Sequence, residues 1–268
     1  DNSFESAEEQ AAFDVYDANN INPLYGFFVA RAGLGASESM RSKLAEYNDP
    51  RLSRAFITKQ GASGKEQAPG TADNAVYAPN GTPEQGTSKY GTSLFMYSIS
   101  APTLLLSYHE LKFLEAEALC RLERDAKSAL KDAVVAGLLN AENSFTISRK
   151  ELGKTLINAA SSITEAEAES YFDNTIEAKY TAEPLKTTMI QKYFALWGAS
   201  GEATESYNDV RRMKGLGENF IELKNPNSFP LRCPYGNSDT TTNAEVKAAY
   251  GNGQYVYSEN VWWAGGSR

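Results

Sequence analysis

The sequence predicts a mainly α-helical fold built on helical hairpins, with a long irregular segment before them and an extended C-terminal wrap after them. Three observations carry this. Apolar residues recur at three- and four-residue steps through Tyr108, Leu111, Leu114, Ala118 and Leu122, and again through Ala126, Leu130, Ala133, Val134 and Leu138, which is the stripe a helix needs to bury one face. Helix-start chemistry follows at Thr164 and Pro184. Residues 58–100 are instead rich in Gly, Ser, Thr, Pro and Asn, the composition of turns and loops.

Taken in order, residues 1–49 are mixed, with an aromatic cluster at Tyr25, Phe27 and Phe28 and short helical pieces between Ser37 and Tyr47. Asn48-Asp49-Pro50-Arg51-Leu52 reads as a break, because proline disfavours helix at the residue before it and Asn and Asp favour turns. Within 58–100, Asn80-Gly81 is a hairpin-type turn signal. The rings of Tyr77, Tyr90, Phe95 and Tyr97 oppose plain disorder there, so the stretch is expected to be an ordered excursion that lines a surface. Helical texture begins at Thr103. The two apolar stripes are separated by only a few residues around Arg124, so their helices must pack antiparallel. Ala116, Ala118, Ala126, Ala129 and Ala133 let the axes approach closely, the texture of a tetratricopeptide-like hairpin.

Ser148 with Glu151, and Thr164 with Glu167, both match the capping box that satisfies open N–H groups at a helix start. The second introduces a helix carrying Tyr171, Phe172, Ile176 and Tyr180 and ending near Ala182. Pro184 opens the next, through Ile190, Tyr193, Phe194 and Trp197. After a break at Gly198 to Gly201 a short helix is expected over Ala203 to Lys214, stopped by Gly215-Leu216-Gly217. The remainder is rich in Pro, Asn and Gly and is expected to wrap the helices as extended chain. Residues 1–268 are thus read as a single unit, with the excursion at 58–100, the helices at 103–217 and the wrap at 218–268. Trp262 and Trp263 stand side by side near the end of the chain. Terminal segments are usually disordered unless tied down, so this pair is expected to dock as an anchor.

Composition removes several classes of function. The net charge of −8 opposes phosphate backbones, which are held by Lys and Arg, so no nucleic-acid partner is expected. Apolar runs such as Leu104-Leu105-Leu106 are short, far below the roughly 20 residues of a membrane span. With 41% hydrophobic and 22% charged residues the chain is an ordinary globular one. Fifteen Tyr and twelve Phe suit both cores and binding faces. Two cysteines are too few for a disulfide framework, and Cys120 lies in an apolar helical pattern as a buried small residue.

Catalytic constellations fail on count or geometry. His109 is the sole histidine, and on one helix it stands roughly 16 Å along the axis from Cys120, too far for a nucleophile and its base. It reads as a polar residue at a helix start or edge. No Cys pair has zinc spacing. Glu115 and Glu117, and Glu165, Glu167 and Glu169, step by two along helices and point to different faces, unlike the paired carboxylates of a glycosidase. Gly33-Leu34-Gly35-Ala36-Ser37 lacks the lysine of a phosphate loop. Arg211 and Arg212 diverge by about 100° on a helix, so one of them is expected to pair with Asp209 or Glu205, or with the C-terminal wrap.

Six patterns occur in an order known from one protein family. They are Asp49-Pro50-Arg51-Leu52; Ala101 to Ala118 with its Tyr108-His109-Glu110-Leu111 core; Gln191-Lys192-Tyr193-Phe194; Glu205 to Arg212 with its arginine pair; Pro230-Leu231-Arg232-Cys233-Pro234-Tyr235; and Val261-Trp262-Trp263. Over about residues 45–263 the set resembles the C-terminal part of the SusD-like (SusD/RagB) nutrient-binding lipoproteins. The resemblance implies a non-catalytic, cell-surface receptor at the outer membrane that binds a glycan or oligosaccharide, needs no cofactor or metal and delivers its ligand to a TonB-dependent transporter. It implies that membrane attachment comes only through a lipid anchor not present in this chain, and that the N-terminal half of the family's length is absent here. A peptide ligand within the same family, or a helical-repeat scaffold for a protein partner, are the alternatives. Sugars present C–H faces that stack on aromatic rings while polar side chains satisfy their hydroxyls, so Tyr77, Tyr90, Phe95, Tyr97, Asn74 and Asn80 in the excursion are the candidate ligand-binding residues. The competing reading is that these rings pin the excursion to the helices.

Overall fold

The structure, a computed structural model, describes residues 3–31, 34–60, 65–67, 77–81, 90–153, 156–157, 159–224 and 228–266. As the sequence pattern predicts, it is mainly helical. The chain divides into two compact units, Asp1–Leu223 and Lys224–Arg268.

In the first unit α1 (Pro23–Arg31) and α2 (Glu38–Glu46) precede the helical core. Ser37 caps α2, its side chain accepting the Met40 N–H at 3.3 Å. The expected break after α2 is a 3-10 turn, Pro50–Ser53, capped by Asp49, whose carboxylate accepts the Arg51 N–H at 2.9 Å. The described strands are short. They are β1 (Ala11–Phe13), β2 (Phe56–Gln60), β3 (Lys65–Gln67), β4 (Thr92–Ser93), β5 (Thr103–Leu106) and β6 (Leu156–Ile157), forming a ribbon β1-β5 and a sheet of order β4-β2-β3-β6. Thr103–Leu106, expected to begin the helical region, is therefore a strand. It pairs antiparallel with β1, Phe13 opposite Thr103, and the Leu104 N–H donates to the Ser200 carbonyl at 2.6 Å.

The hairpin consists of α3 (Tyr108–Arg121) and α4 (Lys127–Leu152), packed on each other. Phe113 and Ala116 on α3 meet Leu130, Ala133 and Leu138 on α4 in the core. Ser148 does not start a helix. It lies inside α4, fully buried, with its hydroxyl donating to the Ser144 carbonyl at 2.9 Å, because the Phe145 face of α4 continues into the core past the cap-like spacing.

Thr164 caps α5 (Glu165–Tyr171) as expected, accepting the Glu167 N–H at 3.2 Å. A π-helical turn, Phe172–Ile176, leads into α6 (Glu177–Ala182), then α7 (Pro184–Leu196) and α8 (Ala203–Gly215). The α3, α4 and α7 helices pack mutually. A Cβ on Gly137 of α4 would lie 2.9 Å from the Ala195 Cβ of α7, so the absence of a side chain sets that approach.

The second unit departs from the expected extended wrap. It folds α9 (Asn237–Thr242) and α10 (Ala244–Tyr250), with Tyr235 stacked on Tyr250 at 4.3 Å and the Leu231 N–H donating to the Val256 carbonyl at 2.8 Å. The Asn243 side chain accepts the Glu245 and Val246 N–H groups, so a capping signal inside the Asn-rich composition starts a helix. Trp262 and Trp263 meet edge to face at 5.6 Å and stand 71% and 70% exposed. The described residues thus leave both rings largely uncovered, where the sequence led to an anchored pair.

Candidate functional site

Two of the rings nominated from the sequence, Tyr77 and Phe95, belong to one chain of contacts. Tyr77 meets Phe56 edge-on at 5.3 Å while the Arg41 guanidinium lies 4.9 Å over its ring. Phe56 continues to Trp197 at 5.3 Å, Trp197 to Phe95 at 5.1 Å, and Phe95 to Phe145 on α4 at 4.7 Å. Phe95 and Tyr90 are buried, so neither offers a ring face to a ligand. Burial of such large apolar rings stabilises the fold by roughly 1.5–3 kcal/mol each, and that gain pins the excursion to the helices. Tyr97 is partly buried against Phe28 at 5.1 Å. Asn80 accepts the Ser37 hydroxyl at 2.9 Å, which ties it to the α2 cap. Asn74 lies outside the described residues. Of the six candidates, Tyr77, Tyr97 and Asn80 keep partial exposure.

A recess lies elsewhere in the first unit. A groove of about 550 Å3 is walled by the segment from Glu5 to Gln10, one side of α4 and the start of α5, with Tyr108 and His109 of α3 at its base. On α4 the lining residues Asp132, Val135, Ala136, Leu139, Asn140 and Asn143 follow three- and four-residue steps, so a single helical stripe faces the groove. The same period that marked the apolar stripe of α4 could have marked this one.

Behind the groove sits a buried polar cluster. His109 and Glu110 occupy the first turn of α3 and Glu202 the cap position of α8; all three are buried. Glu202 accepts the Ser107 N–H at 2.5 Å, placing a carboxylate at the positive end of α3. His109 Nε2 lies 3.6 Å from Glu202, but this is no ion pair. Burial, and then the positive charge of Arg51, push the imidazole down to about 3 and keep it neutral. Burial, then hydrogen bonding to Glu202, then the Glu202 charge push Glu110 up to about 8, so Glu110 holds a proton at neutral pH. Nearby, Lys192 pairs with Asp209 at 2.8 Å. Asp209 also pairs with Arg212 at 2.8 Å, as expected, and Glu117 takes both Arg212 and Arg121. The family-like patterns on α3, α7 and α8 thus meet as one structural network.

This cluster makes stability depend on pH in a predictable sense. The unfolded chain loses the Glu110 proton near 4.5 and the folded chain near 8, so stability falls as pH rises between them. His109 acts oppositely at lower pH: the unfolded chain gains a proton near 6.5 and the folded chain only near 3, so stability falls as pH drops through that window. Above pH 6.5 the Glu110 effect is the one that operates. The melting midpoint is expected to decline from about pH 6.5 to about 8, a loss on the order of 1–2 kcal/mol at about 1.4 kcal/mol per unit. Glu110→Gln, which keeps a donor toward Glu202, is expected to flatten that decline; an unchanged slope would show that another group causes it.

Among the described residues no three His, Cys, Asp or Glu side chains converge to hold a metal ion, and no described helix is long and apolar enough to cross a membrane. Cys120 is half-buried, its Sγ 3.6 Å from the Thr188 hydroxyl, and burial pushes its thiol up.

The family model described as "Starch-binding associating with outer membrane" matches residues 1–235. The chain belongs to the SusD-like family. A solved structure of a SusD/RagB family protein from Bacteroides thetaiotaomicron is similar to it with 66% identity and a TM-score of 0.89, over 99% of this chain and 57% of that one. A Bacteroidetes SusD-like protein is similar at 18% identity with a TM-score of 0.58, over 98% of this chain and 62% of that one, a likeness of fold alone. This SusD-like chain therefore spans less than two thirds of the length of either solved relative. A search of curated proteins finds no match.

Proposed function

We propose that this SusD-like chain belongs to a non-catalytic receptor on the cell surface that captures a glycan and passes it to a TonB-dependent transporter of the outer membrane, without a cofactor. The observation that carries the reading is the match of residues 1–235 to a family described by starch binding and outer-membrane association. The 66% identical SusD/RagB relative supports the same class. The site chemistry agrees with capture rather than bond cleavage. The one histidine is buried and held neutral, and the raised carboxyl of Glu110 belongs to the network that joins α3 to α8.

The ligand face proposed from the sequence contracts to Tyr77, Tyr97 and Asn80. Electrophoresis of the chain through gels carrying neutral and charged polysaccharides, with reducing ends assayed in parallel, tests the function. Retardation by one polymer with no new reducing ends is the expected result, and new reducing ends would overturn the non-catalytic reading. Tyr77→Leu keeps apolar bulk against Phe56 and removes the ring. It is expected to weaken retardation several-fold if sugars stack there, and unchanged retardation would remove this face from the receptor.

A further inference from the structure

The groove between the N-terminal segment, α4 and α5 is separate from the Tyr77 face. Its volume of about 550 Å3 falls within the roughly 300–1,000 Å3 of small-molecule sites. Val135, Ala136 and Leu139 supply apolar surface along α4, Tyr108 supplies a ring, and Asn140 and Asn143 supply amides. A short saccharide needs this combination, with C–H faces against apolar surface and hydroxyls against groups that both donate and accept.

Charge then selects among saccharides. Glu5, Glu8, Asp132, Glu165 and Glu169 line the groove against one cation, Lys131; Glu165 and Glu169, four residues apart on α5, share a face, and only Glu167 between them points away. Lys131 donates to both oxygens of Asp173, at 2.8 and 2.9 Å, so its charge is already matched by a carboxylate outside the lining. His109 at the base adds no positive charge. The carboxylates do not gather into a metal site among the described residues; they are spread along the walls and set a negative field.

We propose that this groove is a saccharide-binding site that accepts glycans that are uncharged or carry amino groups and rejects glycans that carry carboxylate or sulfate groups. The proposal rests on the receptor reading above and adds a site and a ligand class to it. Like charges brought into one recess repel, and exposed charges are screened over about 10 Å at 0.1 M salt. The selectivity is therefore electrostatic and weakens with ionic strength.

Titration calorimetry of the chain with three hexasaccharides tests this: a neutral glucan, a glucosamine oligomer and a galacturonic acid oligomer, at low salt and at about 0.5 M salt, where the screening length shortens. The expected result is binding of the first two, with galacturonate weaker by roughly tenfold or more at low salt and the gap narrowed at high salt. Glu165→Gln with Glu169→Gln, both at exposed positions, should narrow the gap without changing the melting curve. Asn143→Trp, also at an exposed position, should fill the groove and abolish binding of all three. Equal binding of galacturonate, or a preference that salt does not change, would overturn the selectivity. Glucan binding untouched by Asn143→Trp would overturn the site and leave the receptor reading standing. No binding of any oligosaccharide to the unaltered chain would overturn both.

Discussion

Replacing Arg51 by methionine is expected to destabilise the first unit by roughly 3–5 kcal/mol, the cost of leaving a buried charge without its partner. Arg51 is 2% exposed and its guanidinium meets Asp49 through two bonds, Nε to Oδ1 at 2.8 Å and the terminal nitrogen to Oδ2 at 2.7 Å. A third bond reaches the Phe194 carbonyl on α7 at 2.8 Å. That carbonyl lies in the last turn of its helix, where it also accepts the Trp197 N–H of the C-cap at 3.3 Å and where a cation is favoured. The pair thus ties the turn after α2 to the end of α7. Methionine keeps the bulk and removes every donor, so the Asp49 carboxylate keeps only the Arg51 N–H and a longer contact from the Tyr171 hydroxyl at 3.4 Å. Asp49→Asn combined with Arg51→Met should recover part of the loss, because the unpaired charge is gone although the bond to Phe194 is not restored. Urea unfolding of the single and double variants measures both quantities. A single variant within about 1 kcal/mol of wild type would mean that packing alone holds this junction.

Gly201→Ala carries the second large effect, about 2–5 kcal/mol from backbone strain and overlap together. Gly201 has φ of +95°, a conformation that side-chain-bearing residues rarely adopt, and a Cβ there would stand 2.2 Å from the Leu104 carbonyl oxygen and 2.9 Å from Thr103 Cγ2. The first obstacle is backbone rather than a movable side chain. Relief would require shifting β5, which is held by β1 on one side and by the bond from the Leu104 N–H to Ser200 on the other. Gly215→Ala is the control, since Gly215 ends α8 with nothing within 4 Å of a Cβ, and alanine at such a site is expected to be neutral or stabilising by less than about 1 kcal/mol. Equal unfolding midpoints for the two variants would show that β5 can move out of the way.

These two positions also show where local pattern stops being informative. The turn at Asn48 to Leu52 was readable, because proline and Asx residues act on their own backbone. That Arg51 would be buried and bonded to Phe194 was not, since the partner lies far along the chain and only the fold brings it near. The break at Gly198 to Gly201 was equally legible as a break. The closeness of β5 that makes glycine necessary there was not.

Helix starts divide in the same way. Thr164 and Ser148 present the same spacing to an acidic residue, yet one caps α5 and the other is buried inside α4. A capping box is a local offer of hydrogen bonds, and burial of the Phe145 face outweighs it where the core continues. Thr103 to Leu106 is a short apolar run, ambiguous between helix and strand by period alone, and pairing with Ala11–Phe13 made it a strand.

The sequence by itself determined the helical hairpin, the helices after Thr164 and Pro184, the separation of His109 from Cys120 along α3, and the ordered patterns that resemble the SusD-like family. Each of these depends on residues within a few turns of one another, or on residue types alone. Only the tertiary structure decided which aromatic rings became core and which mixed polar and apolar stripe of α4 came to line a groove. A phenylalanine has the same chemistry in a core and on a binding face, and what distinguishes the two is how much water the rest of the chain removes from around it.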